Sequence, residues 1–145
     1  MKNSSVVLVN SSCDSETLKE CFDKMCELSE GELWVTIEFI HGSNSFWVPT
    51  PDEELEDDPY EVYGIIEIGD DQHLFKKITS LAHEVGHALH KRHNNFSNVR
   101  DTMFSESLAW FLGYNWFHDR DIVIDMEEYR EHMSVALELY IAELK

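Results

Sequence analysis

Leu81-Ala82-His83-Glu84-Val85-Gly86-His87-Ala88-Leu89-His90 is the stretch on which the fold turns. Leu74, Ile78, Leu81, Val85 and Leu89 recur at helical spacing through it and predict one helix over residues 72–91. Residues four apart on a helix share a face, about 40° apart round the axis and about 6 Å along it. His83 and His87 can therefore converge on one ion. Glu84 stands about 100° round from His83 and about 60° from His87, so its carboxylate can reach a water on that ion. Two imidazoles and a neighbouring carboxylate at this spacing suit zinc, with the carboxylate as a general base.

A catalytic zinc needs a third protein ligand and one open position. His90 lies on the face of His83 but about 10 Å further along the axis, too far for one ion to bind both. His93 completes the spacing H-E-x-x-H-x-x-G-x-x-H of the metzincins. That pattern needs glycine where this chain has His90, so that the helix stops and the last histidine folds back. Glu106 is the preferred third ligand. It follows His87 by 19 positions and opens the next predicted helix, residues 104–117, which leaves room for a turn that lays its carboxylate against the ion.

Working outward, Leu33, Val35, Ile37 and Phe39 alternate with Thr36 and Glu38 as in a strand. His41-Gly42-Ser43-Asn44 is turn chemistry, after which residues 46–48 are expected to pair back as a hairpin. Residues 60–68 read as a second clear strand, in which Gly64 suggests a bulge or a close approach of another backbone. Val6-Val7-Leu8-Val9 suits a short strand. A helix follows it, capped by Asp14 or Ser15, carrying Leu18, Phe22, Met25 and Cys26, and ended by Gly31. A last helix covers residues 126–144, capped by Asp125, with Tyr129, Met133, Ala136, Leu137 and Tyr140 inward. Three prolines and a run of acids make residues 49–59 a solvated loop.

His83-Glu84-Val85-Gly86-His87 followed by Glu106-Ser107-Leu108-Ala109 resembles the gluzincin pattern, and the wording around the pentad is similar to the ImmA/IrrE-type metallopeptidases. The resemblance covers residues 60–118. It implies an α+β, zincin-like domain: a small, mostly antiparallel sheet packed on the motif helix and further helices. It implies Zn2+ held by His83, His87 and Glu106, with Glu84 as the catalytic base for peptide-bond hydrolysis. In such enzymes the strand before the motif helix is a sheet edge beside the cleft, to which the substrate adds. Tyr63, His90, His93, Tyr114 and His118 are candidates to stabilise the oxyanion, and Asp101 and Ser105 to orient the imidazoles.

The 145 residues suit a single domain, residues 1–145. Eleven basic against 29 acidic residues give a net charge of −18, which argues against nucleic acid and favours a basic protein or peptide as substrate. No run reaches the length of a membrane span, and no leader is evident, so a soluble cytoplasmic protein is expected. Cys13, Cys21 and Cys26 are expected as reduced, packed thiols. The competing reading is an acidic, non-catalytic interaction protein with a structural or relic metal site.

Overall fold

A computed structural model of the chain describes residues 6–49, 64–90 and 99–143. Within them the order is β1 (Val7–Val9), α1 (Ser15–Leu33), β2 (Val35–Ile40), β3 (Phe46–Pro49), β4 (Gly64–Gly69), α2 (Leu74–His90), α3 (Val99–His118), β5 (Ile122–Ile124) and α4 (Met126–Glu143). This is an α+β arrangement of helices with two small sheets.

The first helix starts where a carboxylate can cap it: Asp14 accepts from the Thr17 amide at 2.7 Å. It runs past Gly31 to Leu33, and Trp34 ends it in the left-handed region at φ 59°. Leu18, Cys21, Phe22 and Met25 form its buried stripe, against α2. Cys13, Cys21 and Cys26 are free thiols.

Beta-strand pairing departs from the expected hairpin. β4 lies between β2 and β3, parallel to β2 and antiparallel to β3, so residues 46–48 pair with β4 and not with β2. The three-stranded sheet is thus mixed, and the second sheet, β1 beside β5, is parallel. Neither is mostly antiparallel. Burial explains the order: Ile66 and Ile68 are fully buried, and the strand richest in buried positions takes the middle. The strand before the motif helix is therefore central among the described strands, not an edge. Among the described strands β3 is an edge, and its terminal Pro49, which has no N–H to offer, suits that place. Gly64 does mark a close approach: a Cβ there would meet the Trp47 ring at 2.3 Å. Residues 50–63 lie outside the described residues, including the acidic loop and the first part of the predicted strand.

Helices α2 and α3 meet at small residues. A Cβ on Gly86 would lie 1.7 Å from the Ala109 carbonyl oxygen, and one on Gly113 1.7 Å from that of Ala82. The pairing 86 with 109 and 82 with 113 makes the helices antiparallel across this seam. α4 is capped by Asp125, which accepts from the Glu128 amide at 3.0 Å, and Tyr129 fixes it to α3 by donating to the Trp110 carbonyl at 2.5 Å. Among the described residues no helix is long and apolar enough to cross a membrane.

Candidate metal centre

The α2–α3 seam decides what faces the two histidines. Val85 and Gly86, between them in sequence, point into the core and the seam, with Val85 fully buried. His83 and His87 consequently stand on the flank of α2. On α3, Glu106 lies one turn before Ala109, the residue whose backbone Gly86 touches. Antiparallel packing brings Glu106 back over the pentad.

The distances follow. His83 Nε2 lies 2.9 Å from Glu106 Oε1, and His87 Nε2 lies 2.7 Å from Glu106 Oε2. The two Nε2 atoms are 3.0 Å apart. Glu84 approaches the other nitrogen of His83, with Oε2 3.5 Å from Nδ1. Trp110, one turn beyond Glu106, stacks on the His83 ring at 4.3 Å and 9° and fixes its plane.

The group His83, Glu84 and His87 offers ligand atoms within 4.8 Å of one another and could hold a metal ion. Glu106 belongs beside it on geometry, since it touches both Nε2 atoms while Glu84 faces a different edge of the His83 ring. Ligand atoms about 2.0–2.2 Å from a tetrahedral ion stand about 3.3 Å apart. The observed 2.7–3.0 Å falls a few tenths short, which side-chain torsions can open. Two imidazoles and a carboxylate also make a donor set that zinc accepts.

Electrostatics bind the set together. Burial raises the Glu106 carboxyl, but hydrogen bonds from His83 and His87 and their charge overcome it and bring it down to about 2. Burial lowers His87, and the hydrogen bond and charge of Glu106 reverse this to a net rise. Glu84 is raised, chiefly because it is buried, while the histidines pull it the other way. A buried carboxylate held up in this way is a stronger base than a surface one.

His83 and Glu84 line a cleft of about 370 Å³. None of the described oxyanion candidates lines it. His90 is buried, 3.4 Å from Ser105 Oγ. Tyr114 packs against Tyr129, and His118 beside it is exposed. Ser105 therefore meets His90 and neither of the paired imidazoles. Tyr63 and His93 lie outside the described residues, as does the side chain of Asp101.

The cleft holds residues the sequence reading passed over: Lys76, Thr79, Trp110 and His132. Two had a signal. Trp110 is four residues after Glu106, hence on its face. His132 is three after Tyr129 and four before Ala136, hence on the edge of the inward stripe of α4. His132 Nδ1 lies 2.7 Å from Thr79 Oγ1. Comparison with family models, with curated proteins and with solved structures finds no match to this chain.

Proposed function

We propose that the chain is a zinc-dependent peptidase, with a zincin-like active site in which His83, His87 and Glu106 hold the ion and Glu84 is the general base. The observation that carries this reading is the Glu106 carboxylate set across both Nε2 atoms, with Glu84 beside the Nδ1 edge of His83 on the cleft lining. A zinc ion held there would polarise a scissile carbonyl and acidify a water toward neutrality.

The protein's own groups would do the rest. Glu84 takes the proton of the attacking water and delivers it to the leaving nitrogen. Its burial keeps the carboxylate basic until that moment. Trp110 holds the His83 ring against rotation, so the Nε2 lone pair stays aimed. The substrate backbone lies along β3, whose leading residues 43–45 wall the cleft, and adds to that edge as an extra strand. The edge role expected of the strand before α2 thus passes to β3.

The experiment is metal content with peptide turnover. Wild-type protein is expected to purify with about one zinc, and Glu84→Gln to keep the zinc while losing at least about a hundredfold in rate. His83→Ala and Glu106→Ala lose the metal. A protein without zinc, or a Glu84→Gln variant as active as wild type, removes the reading. The non-catalytic alternative then stands, with the net charge of −18 as its motive and a basic partner as its expectation.

A further inference from the structure

The cleft does not end at the histidines. Its lining runs along α2 from Glu84 and His83 through Ser80 and Thr79 to Lys76. Lys76 is seven residues before His83, which places it about 10 Å along the helix axis. His132, Val135 and Ala136 of α4 form a second wall and residues 43–45 a third.

That third wall is preformed. Gln72 donates to Ser45 Oγ at 3.2 Å and to the Gly69 carbonyl at 2.7 Å, and accepts from Ser80 Oγ at 3.1 Å. Gly69 lies so close beneath the turn that a Cβ would come within 2.5 Å of the Gly42 carbonyl oxygen. The turn cannot collapse into the cleft without breaking these contacts.

Its charge is unlike that of the chain. With 29 acidic residues against 11 basic, a wall drawn at random would be acidic. Histidines aside, the charged residues of this lining are Glu84 at the metal end and Lys76 at the far end. The first turn of α2 carries no acidic residue, the nearest being Asp70 and Asp71 ahead of its start, so within the helix Lys76 is not offset by a neighbouring carboxylate. His132 shares the same field. Burial and then Lys76 depress its pKa, against the pull of Glu128 and Glu131 on its own helix. Trp110, in the same lining, keeps its indole N–H buried without an acceptor among the described residues. The far end of the lining therefore offers the Lys76 ammonium and no carboxylate, Glu128 and Glu131 lying outside the lining on α4 and the Trp110 indole belonging to the metal end, where it stacks on His83.

We propose that this end of the cleft is a specificity subsite for a carboxylate of the substrate, from an aspartate or glutamate side chain or a chain terminus, held by Lys76 with His132 beside it. The inference rests on the peptidase reading, and it reverses the preference that net charge suggests. Surface charge is screened over about 8 Å in physiological salt, whereas Lys76 would sit in contact with its ligand.

Zinc-loaded full-length protein is incubated with a mixed peptide library and the cut sites are sequenced, for wild type, Lys76→Ala and Lys76→Glu. Wild type is expected to favour an acidic residue at one fixed position from the cut bond. Lys76→Ala loses that preference by about tenfold, and Lys76→Glu turns it toward lysine and arginine. Paired peptides separate the sources: Glu against Gln inside the chain, and free against amidated C-termini. Cleavage without an acidic preference, or a preference indifferent to Lys76→Glu, overturns the subsite and leaves the peptidase standing. If no peptide is cut, the peptidase reading fails, and binding decides the subsite. N-acetylglutamate amide titrated into metal-free protein is expected to shift the amide resonances of Thr79, Ser80 and His132 saturably. N-acetylglutamine amide, or the Lys76→Glu variant, is expected to give no such shift, and equal shifts for both compounds overturn the subsite.

Discussion

Gly86→Ala puts the least possible atom into the α2–α3 seam, and its consequence can be worked out from distances. The new Cβ would sit 1.7 Å from the Ala109 carbonyl oxygen and 2.5 Å from its carbon. Real Cβ atoms do not come within about 3.0 Å of such neighbours, so α3 must retreat by roughly 1.3 Å (3.0 less 1.7). Glu106 is one turn from the contact and moves with it. Its separations of 2.7 and 2.9 Å from the two imidazoles become about 4 Å, beyond hydrogen bonding and at the limit that an ion about 2.1 Å from each atom can span. Overpacking costs about 1–3 kcal/mol, against which alanine returns about 0.5–1 kcal/mol of helix propensity. Gly31→Ala is the control: it is also helical, but nothing lies within 4 Å of its Cβ position, so only the propensity term remains and the variant is stabilised. Urea unfolding and zinc titration of both variants make the comparison. Opposite signs of stability change, with zinc affinity reduced at least about tenfold in Gly86→Ala only, are expected. A Gly86→Ala protein as stable as wild type, binding zinc as tightly, would show that the seam does not present Glu106.

Other outcomes follow from the same contacts. Glu106 is depressed to about 2 from an ordinary 4.5, so in metal-free protein it contributes stability above pH 4.5 that is lost as pH falls toward 2. His87 is raised above 6.5, so its contribution is present below 6.5 and lost as pH rises through the folded value. Chelated wild type minus chelated Glu106→Gln, followed by melting temperature against pH, should give a difference that fades at both ends; a flat difference would refute the pairing. Burial lifts the Cys21 and Cys26 thiols to about 11 and about 12, so both should alkylate at neutral pH at least about a hundredfold more slowly in native than in unfolded protein.

Local signals are legible in this sequence and long-range ones are not, for a physical reason. Asp14 and Asp125 announce two helix starts because a cap acts on amides three residues away. The motif helix declares itself by its apolar seam, and Gly64, a glycine inside a strand pattern, declares its need for room. Strand order does not declare itself. Nothing within residues 46–49 says that β4 will come between them and β2, because that depends on which strand buries most. β5 leaves no signal because three residues, Ile122-Val123-Ile124, are too few for a period. The meeting of Glu106 with both imidazoles could be expected from spacing and resemblance. The cause of that meeting lies in Ala82, Gly86, Ala109 and Gly113, whose smallness has meaning only once two helices are packed.

Whether an ion at these residues would perform chemistry or staple two helices can be decided by removing it. The α2–α3 seam closes on backbone contact between small residues, and Tyr129 and the aromatic stack of Trp110 hold the same region without help. A staple there would be redundant. The side chains of His83, Glu106 and His87 also keep 13, 15 and 16% of their surface, and His83 lines the open cleft, as a fourth position for water or substrate requires. A closed structural site would bury them. Chelation is therefore expected to leave far-ultraviolet circular dichroism and cooperative unfolding intact. It should lower the melting temperature only by the mass-action term, about 2.7 kcal/mol when zinc stands at a hundred times its dissociation constant. A protein that loses its helices or its cooperative transition on chelation has a structural site, because binding energy is then folding energy. In that event the Glu106 contact, and not the glycine seam, is what holds α3 to α2.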